Sequence, residues 1–315
     1  MARRAAGAAA KRAASALAKV LKEPVRKALN PLGLDVVRVQ RGTGSANQLE
    51  LPIDFDSHIA KTVAQVKGLT LTSPERVAAL CEAVRYLVRA GVQGAFVECG
   101  VWRGGSVLAM IGTLQSEGVN DRDIYLFDTF TAMPPPGPED VDISGTPARY
   151  YHALLDSGQV DASDYAYLPL SSLKHLLYST GYPPERLVFV QGLVEQTIPD
   201  SAPEEIALLR LDTDYYSSTR HELEHLYPRI AQGGILIVDD YGHWQGARRA
   251  TDEYLYALAS QGIHLMLNRI DYSGRIAVVP SHAAVPHGRS KIPTRPAGTG
   301  YVAQSSPWSA GPAKS

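Results

Sequence analysis

Four aspartates carry the chemistry that this sequence can do. Asp212 and Asp214 stand two apart in LLRLDTDYY (208–216), and Asp239 and Asp240 close the run ILIVDD (235–240). Both pairs end apolar stretches. Carboxylates are rarely buried without a partner, so strands that end this way point at a cation or a proton. If the two strands are neighbours, about 4.8 Å apart, Asp212, Asp239 and Asp240 converge at one rim, where like charges demand a positive ion. Oxygen donors without cysteine or a histidine pair select a hard ion: Mg²⁺, with Mn²⁺ or Ca²⁺ as alternatives, and water and substrate oxygens complete its shell. Separate solvated acids or helix caps are the plainer reading. By the two-residue period of a strand, Asp214 points to the same side as Asp212 and lies just beyond the ion, placed to take a proton. Otherwise it caps the helix that begins near Ser218. His243, in DDYGHW, is the other proton acceptor within reach.

A second set of residues lies earlier in the chain. The stretch VECGVWRGGS holds Glu98 and a glycine turn, Gly100, Gly104 and Gly105, that feeds a helix from about Ser106. Glycines there let the backbone approach a ligand closely. The spacing G-x-x-x-G-G is not the dinucleotide G-x-G-x-x-G, which counts against a nicotinamide dehydrogenase. The next apolar run, IYLFD, ends on Asp128, where an acid can accept both hydrogen bonds of a ribose diol. Glycine turn and acid together imply a nucleoside cofactor without a pyrophosphate. S-adenosylmethionine has that form.

These residues need a scaffold that brings strand ends together. The runs AFVECG (95–100), IYLFD (124–128), LVFVQG (187–192), IALLRLD (206–212), ILIVDD (235–240), HLMLNRID (264–271) and RIAVVP (275–280) alternate with helical stretches, notably SVLAMIGTLQSEG, STRHELEHLYPRI and GARRATDEYLYALASQG. Near-continuous apolar strands separated by helices predict an α/β domain with a mainly parallel sheet covered on both faces, whose ligands lie beyond the carboxyl ends of the strands. Ser73-Pro74-Glu75-Arg76 predicts a helix start with Ser73 as N-cap, and Gly91 its stop. Between the second and third strands, DTFTAMPPPGPEDVDISGTPARYYHALLDSGQV is far longer than an ordinary connection and reads as a lid over about 129–160.

The 315 residues suffice for one large domain with appendages, and no apolar run reaches the roughly 18 residues of a membrane span. The two cysteines, Cys81 and Cys99, indicate neither a disulfide framework nor a cysteine-rich metal site and fit a reducing cytoplasm. Net charge is −1, yet residues 1–41 hold ten Lys/Arg against two acids, so that segment carries +8 and the remainder −9. Three parts follow: a basic, Ala-rich segment 1–48, flexible or an amphipathic helix able to touch an anionic surface; the main domain 49–282; and a Pro/Gly/Ser-rich tail 283–315, expected to be disordered.

The ordered series FVECGVWRGGS, YLFDTFTAMP, FVQGLVEQTIP, LLRLDTDYYSSTRHELEHLYP, GGILIVDDYGHWQGARRATDEY and IDYSGR resembles the macrocin O-methyltransferase family, over about residues 73–280. The resemblance implies a Rossmann-like class I fold with a seven-stranded sheet. It also implies Mg²⁺-dependent methyl transfer from S-adenosylmethionine to a (deoxy)sugar hydroxyl on a natural product or glycoconjugate. Carried over by position, Glu98 through Ser106, with Gly100 and Gly104, would hold the methionine end of the cofactor. Asp128 with Thr129 would hold the ribose, and Gly192, Leu193 and Val194 would lie near adenine. Asp212, Asp239 and Asp240 would bind the metal. The more distant catechol methyltransferases place a catalytic lysine three residues after the first metal aspartate, where this chain has Tyr215, so Asp214 or His243 must serve instead. Thr131-Ala132-Met133-Pro134 lacks the glycine common in the family, which leaves lid shape and acceptor open. The implied partners are a glycosylated small molecule and a second copy of the chain, with no nucleic acid. Two other classes stay open here: a metal-dependent hydrolase, which leaves Glu98 and Asp128 unexplained, and a non-catalytic nucleoside- or sugar-binding protein.

Overall fold

A computed structural model describes residues 51–157 and 167–280. The basic N-terminal segment, the C-terminal tail and the end of the long connection lie outside the described residues. Apolar β-rich runs form β1 (Ala95–Cys99), β2 (Ile124–Asp128), β3 (Leu187–Gln191), β4 (Ile206–Leu211), β5 (Ile230–Val238), β6 (Asn268–Arg269) and β7 (Arg275–Val278). They make one sheet in the order β3-β2-β1-β4-β5-β7-β6. Neighbours from β3 to β5 are parallel, whereas β7 runs antiparallel between β5 and β6. The sheet is therefore mixed, and mainly parallel as expected. Strand order reverses between β1 and β4, which makes their carboxyl ends the switch point where a ligand crevice opens.

Every residue of β1 and of β4 is buried, because helices cover both faces. On one side pack α1 (Ser57–Val66), α2 (Pro74–Arg89), α3 (Gly105–Ser116) and α5 (Leu170–Tyr178), through residues such as Ile59, Leu80, Met110 and Leu173. On the other pack α6 (Val194–Thr197), α7 (Tyr216–Leu226) and α8 (Gln245–Ser260), through Val194, Leu223, Leu226 and Leu258. Helix α4 (Ala148–Asp156) belongs to the long connection between β2 and β3. As expected, Ser73 caps α2, its side chain accepting from the Arg76 amide with Pro74 at the first position. Gly91 follows the helix end with φ +66°.

Two strands differ from the sequence reading. β5 begins at Ile230, five residues early, because its register with β4 jumps from Ile206↔Ile230 to Leu208↔Ile235. The extra residues are taken up at Gly233, where φ is +76°. The eight-residue run at 264–271 pairs only over Asn268–Arg269. It has a single neighbour at the sheet edge, Met266 stays 75% exposed, and so its apolar pattern has no face to bury.

Candidate functional site

Asp212 follows β4, and Asp239 and Asp240 follow β5, its direct neighbour, so the three carboxylates meet as expected, with one oxygen from each within 4.8 Å of the others. The sequence reading missed what lies beneath them. Arg210, 1% exposed inside the buried strand β4, sends Nη1 to Glu98 of β1 and to Asp212 Oδ2 at 2.8 Å. Its Nη2 reaches Asp239 Oδ1 at 2.6 Å and the Thr72 hydroxyl at 2.9 Å. Arg76 of α2 takes the other Asp239 oxygen and pairs through Nε with Asp271 Oδ2 at 3.0 Å. Burial opposes the charge on Arg210, yet Asp212, Asp239 and Glu98 hold it charged, above its ordinary value. Its signal was present in LLRLD: an arginine within a fully buried strand persists only among carboxylates.

Two guanidinium groups do not neutralise Glu98, Asp212, Asp214, Asp239 and Asp240. Burial is the first cause that raises the acids: Glu98 to about 8, Asp212 to about 7, Asp214 to about 6, and Asp240 well above its usual range. Repulsion among the aspartates adds to it. An all-oxygen cluster with excess negative charge fits a hard divalent cation, which would replace the protons that these groups otherwise retain. Asp212, whose side chain is 27% exposed, is the open side of the cluster.

Asp214 reaches this cluster by a different route from the expected one. β4 ends at Leu211, and Asp214 has φ +65° at the centre of a γ-turn closed by the Tyr215 amide on the Thr213 carbonyl at 2.7 Å. A positive φ at a non-glycine residue is strained and persists where the surroundings over-determine it. Here they do. The Asp214 amide donates to Asp240 Oδ2 at 3.2 Å, and its carboxyl shares hydrogen bonds with Asp240 and Trp244. Asp140, from the long connection, accepts the Tyr216 amide at 2.8 Å and so caps α7, the role left open for Asp214. His152 of α4 meets the Tyr215 hydroxyl at 2.8 Å. Trp244 stands edge-on to Tyr151, Tyr215 and His243, and His243 edge-on to Tyr272. This aromatic wall was not foreseen. His243 has its pKa lowered by burial, and its Nδ1 is buried without a partner.

The expected cofactor residues lie at the carboxyl ends of β1, β2 and β3, and several of them also hold the protein's own turns together. Glu98 Oε2 is buried and unpartnered beside the Arg210 contact, an acceptor that fits the ammonium of a methionine moiety. Gly100 serves the protein before any ligand: a Cβ there would lie 2.0 Å from the Asp212 carbonyl, so the turn must be glycine for β1 and β4 to end together. Gly104 likewise faces Leu173 Cδ1, at 2.5 Å from its would-be Cβ. Asp128 Oδ2 accepts the amides of Val101 and Trp102, at 2.6 and 3.0 Å, and Oδ1 that of Phe130 at 2.7 Å. It ties this turn to the end of β2, and with three amides on it keeps one acceptor site for a ribose hydroxyl rather than two for the diol. Thr129 donates to the Ala132 carbonyl, and the Gly192 amide to the Asp128 carbonyl. Ser106 is buried in the first turn of α3, and the Val194 side chain packs in the core, which leaves only its main chain for a ligand.

The family model described as macrocin-O-methyltransferase (TylF) matches residues 55–277. Demethyldecarbamoylnovobiocin O-methyltransferase of Streptomyces niveus is 31% identical over 185 residues, 59% of this chain and 67% of that protein. Mycinamicin III 3''-O-methyltransferase of Micromonospora griseorubida is 30% identical over 185 residues, 59% and 69% of the two chains. The solved structure of the O-methyltransferase NovP superposes with a TM-score of 0.56 at 29% identity, covering 66% of this chain and 81% of that one.

Proposed function

The chain belongs to the macrocin O-methyltransferase family, is an S-adenosylmethionine-dependent O-methyltransferase, and from that premise we propose Mg²⁺-dependent methylation of a sugar hydroxyl on a glycosylated natural product. The observation that carries the metal reading is the carboxylate cluster of Asp212, Asp239 and Asp240, over-supplied with negative charge beside an unpartnered Glu98 oxygen. Bound Mg²⁺ would supply Lewis acidity to the acceptor hydroxyl, and the cofactor an electrophilic methyl group. The chain's own residues supply the rest. Glu98 receives the ammonium, and Asp128 orders the glycine turn and accepts the ribose. Arg210 and Arg76 fix Asp239, so that the cluster keeps its shape while charge changes. Asp214, raised to about 6, is the group that takes the hydroxyl proton, with Asp240 and Trp244 holding it in place. Tyr151 and Trp244 offer ring faces and edges to the acceptor, with the buried Tyr215 packed against Trp244 behind them. Methyl transfer then needs the oxygen about 3–3.5 Å from the methyl carbon, a geometry that these groups set.

The relatives' names give the acceptor panel: glycosides of the novobiocin and mycinamicin kinds. Calorimetry with S-adenosylmethionine, with and without Mg²⁺, and turnover on that panel form the test. Asp239→Asn with Asp240→Asn should abolish metal-stimulated turnover and leave cofactor affinity within about threefold, a change under 1 kcal/mol. Full turnover of that double variant in EDTA would remove the metal from the reaction. Cofactor binding without transfer to any glycoside would favour a binding protein.

A further inference from the structure

Glu222 is a buried carboxyl for which the reaction above has no use. It lies in the second turn of α7, 0% exposed, and no lysine, arginine or histidine pairs with it among the described residues. A charge so placed would be costly, and a buried polar group without purpose is rare. Its partner is Thr213, whose hydroxyl lies 3.0 Å from Oε1 and 3.1 Å from Oε2, bracketed by both carboxyl oxygens. Burial, then Glu195 and Asp212, raise its pKa to about 8 against the Thr213 hydrogen bond, so that at neutral pH the carboxyl is uncharged and can donate as well as accept.

Thr213 stands between the two aspartates. Its carbonyl closes the γ-turn at Asp214 and also accepts from the Ser218 hydroxyl at 3.3 Å. On the far side of that turn, Asp140 fixes the Tyr216 amide. On the near side, the Ser218 hydroxyl holds the Thr213 carbonyl and Asp240 holds the Asp214 amide, and the Thr213 side chain adds a tie of its own that Glu222 anchors. We propose that Glu222 is a positioning residue for methyl transfer, gripping Thr213 so that the strained turn keeps Asp214 against Asp240 where the acceptor's proton is taken. This rests on the reading of Asp214 as the proton acceptor. Glu222 touches neither substrate nor cofactor and acts through the turn.

The test uses the full chain saturated with S-adenosylhomocysteine, and the variants Glu222→Gln, Glu222→Ala, Thr213→Val and, as a reference, Asp214→Asn. Amide hydrogen exchange over 213–217 reads the turn without an acceptor. Turnover of demethyldecarbamoylnovobiocin or mycinamicin III reads its consequence. Glu222→Ala and Thr213→Val should raise exchange in that segment at least tenfold and lower kcat about 10²-fold, the scale of a misplaced catalytic group, with the S-adenosylhomocysteine Kd within twofold. Glu222→Gln keeps a donor and an acceptor for Thr213 and should recover both readouts. Wild-type exchange in Glu222→Ala and Thr213→Val, or a Glu222→Gln as impaired as Glu222→Ala, would overturn the proposal. If Glu222→Ala does not fold, Thr213→Val decides, since position 213 is partly exposed. Near-normal kcat in Asp214→Asn would defeat the proton-acceptor reading and the clamp with it. Impaired Asp214→Asn beside unimpaired Thr213→Val and Glu222→Ala would defeat the clamp alone.

Discussion

Asp212 and Asp214 must differ in kind when substituted. A general base contributes on the order of 10² to 10⁴ in rate, so Asp214→Asn should lower kcat by that range with Mg²⁺ and cofactor binding little changed. Asp212→Asn should instead weaken Mg²⁺ binding, measured by titration, and should recover rate as the metal is raised. Arg210 gives a third prediction. Removing it leaves Glu98, Asp212 and Asp239 without their shared counter-charge, so Arg210→Met should cost about 3–5 kcal/mol in urea unfolding at pH 7. The loss should grow as pH rises from about 6 to 9, because Glu98 and Asp212, at about 8 and 7, release their protons in that range only while Arg210 remains to balance their charge. Arg210→Lys should not rescue it, because a single ammonium cannot replace contacts made from both ends of a planar fork.

At the scale of elements, the long connection between β2 and β3 is built into the site over its first half. Asp140 caps α7, the Gln245 amide donates to the Val141 carbonyl at 2.8 Å, and Asp142 accepts the Tyr151 hydroxyl of α4. That seat requires a glycine: a Cβ on residue 246 would stand 2.3 Å from Asp140 Oδ1 and 3.0 Å from the Tyr216 amide. Gly246→Ala and Asp140→Ala should both lose the cap, about 0.5–2 kcal/mol by thermal unfolding, and both should lower kcat because α7 carries the turn at Asp214. Equal effects would identify the cap as the cause. A loss confined to Gly246→Ala would instead be a packing clash. The sequence revealed this connection by its length but not its contents. α4 buries only Ala148, so its apolar positions do not commit it to the core, and a cap supplied from 76 residues away leaves no local pattern. Strand alternation placed Asp214 near Asp212 for the wrong reason. The pleat ends at Leu211, and a γ-turn that no residue type announces makes the approach.

At the scale of the whole molecule, strand sequence and parallel pairing were readable because β1, β4 and the later part of β5 are buried on both faces and therefore apolar throughout. The glycine-led start of β5 and the edge strand β6, which face less protein, were misjudged. The same burial sets how stability depends on pH. Glu222 is faced by Thr213 and Asp212 after β4, by Glu195 of α6 and by Cys99 of β1; none of these is a cation. Its pKa is about 8 in the folded protein against 4.5 as the ordinary value. Between those two values the folded chain holds a proton that the unfolded chain has released, so stability falls as pH rises, by about 1.4 kcal/mol per unit at most for this group. Stability is fully present below 4.5, and the decline ends near 8. Glu222→Gln removes that dependence while keeping the shape of the protonated acid. Its unfolding free energy should match wild type near pH 5 and exceed it increasingly up to pH 8, with a constant gap above. A gap independent of pH would mean that Glu222 is already ionised in the folded protein and that its two contacts with Thr213 are made by a carboxylate.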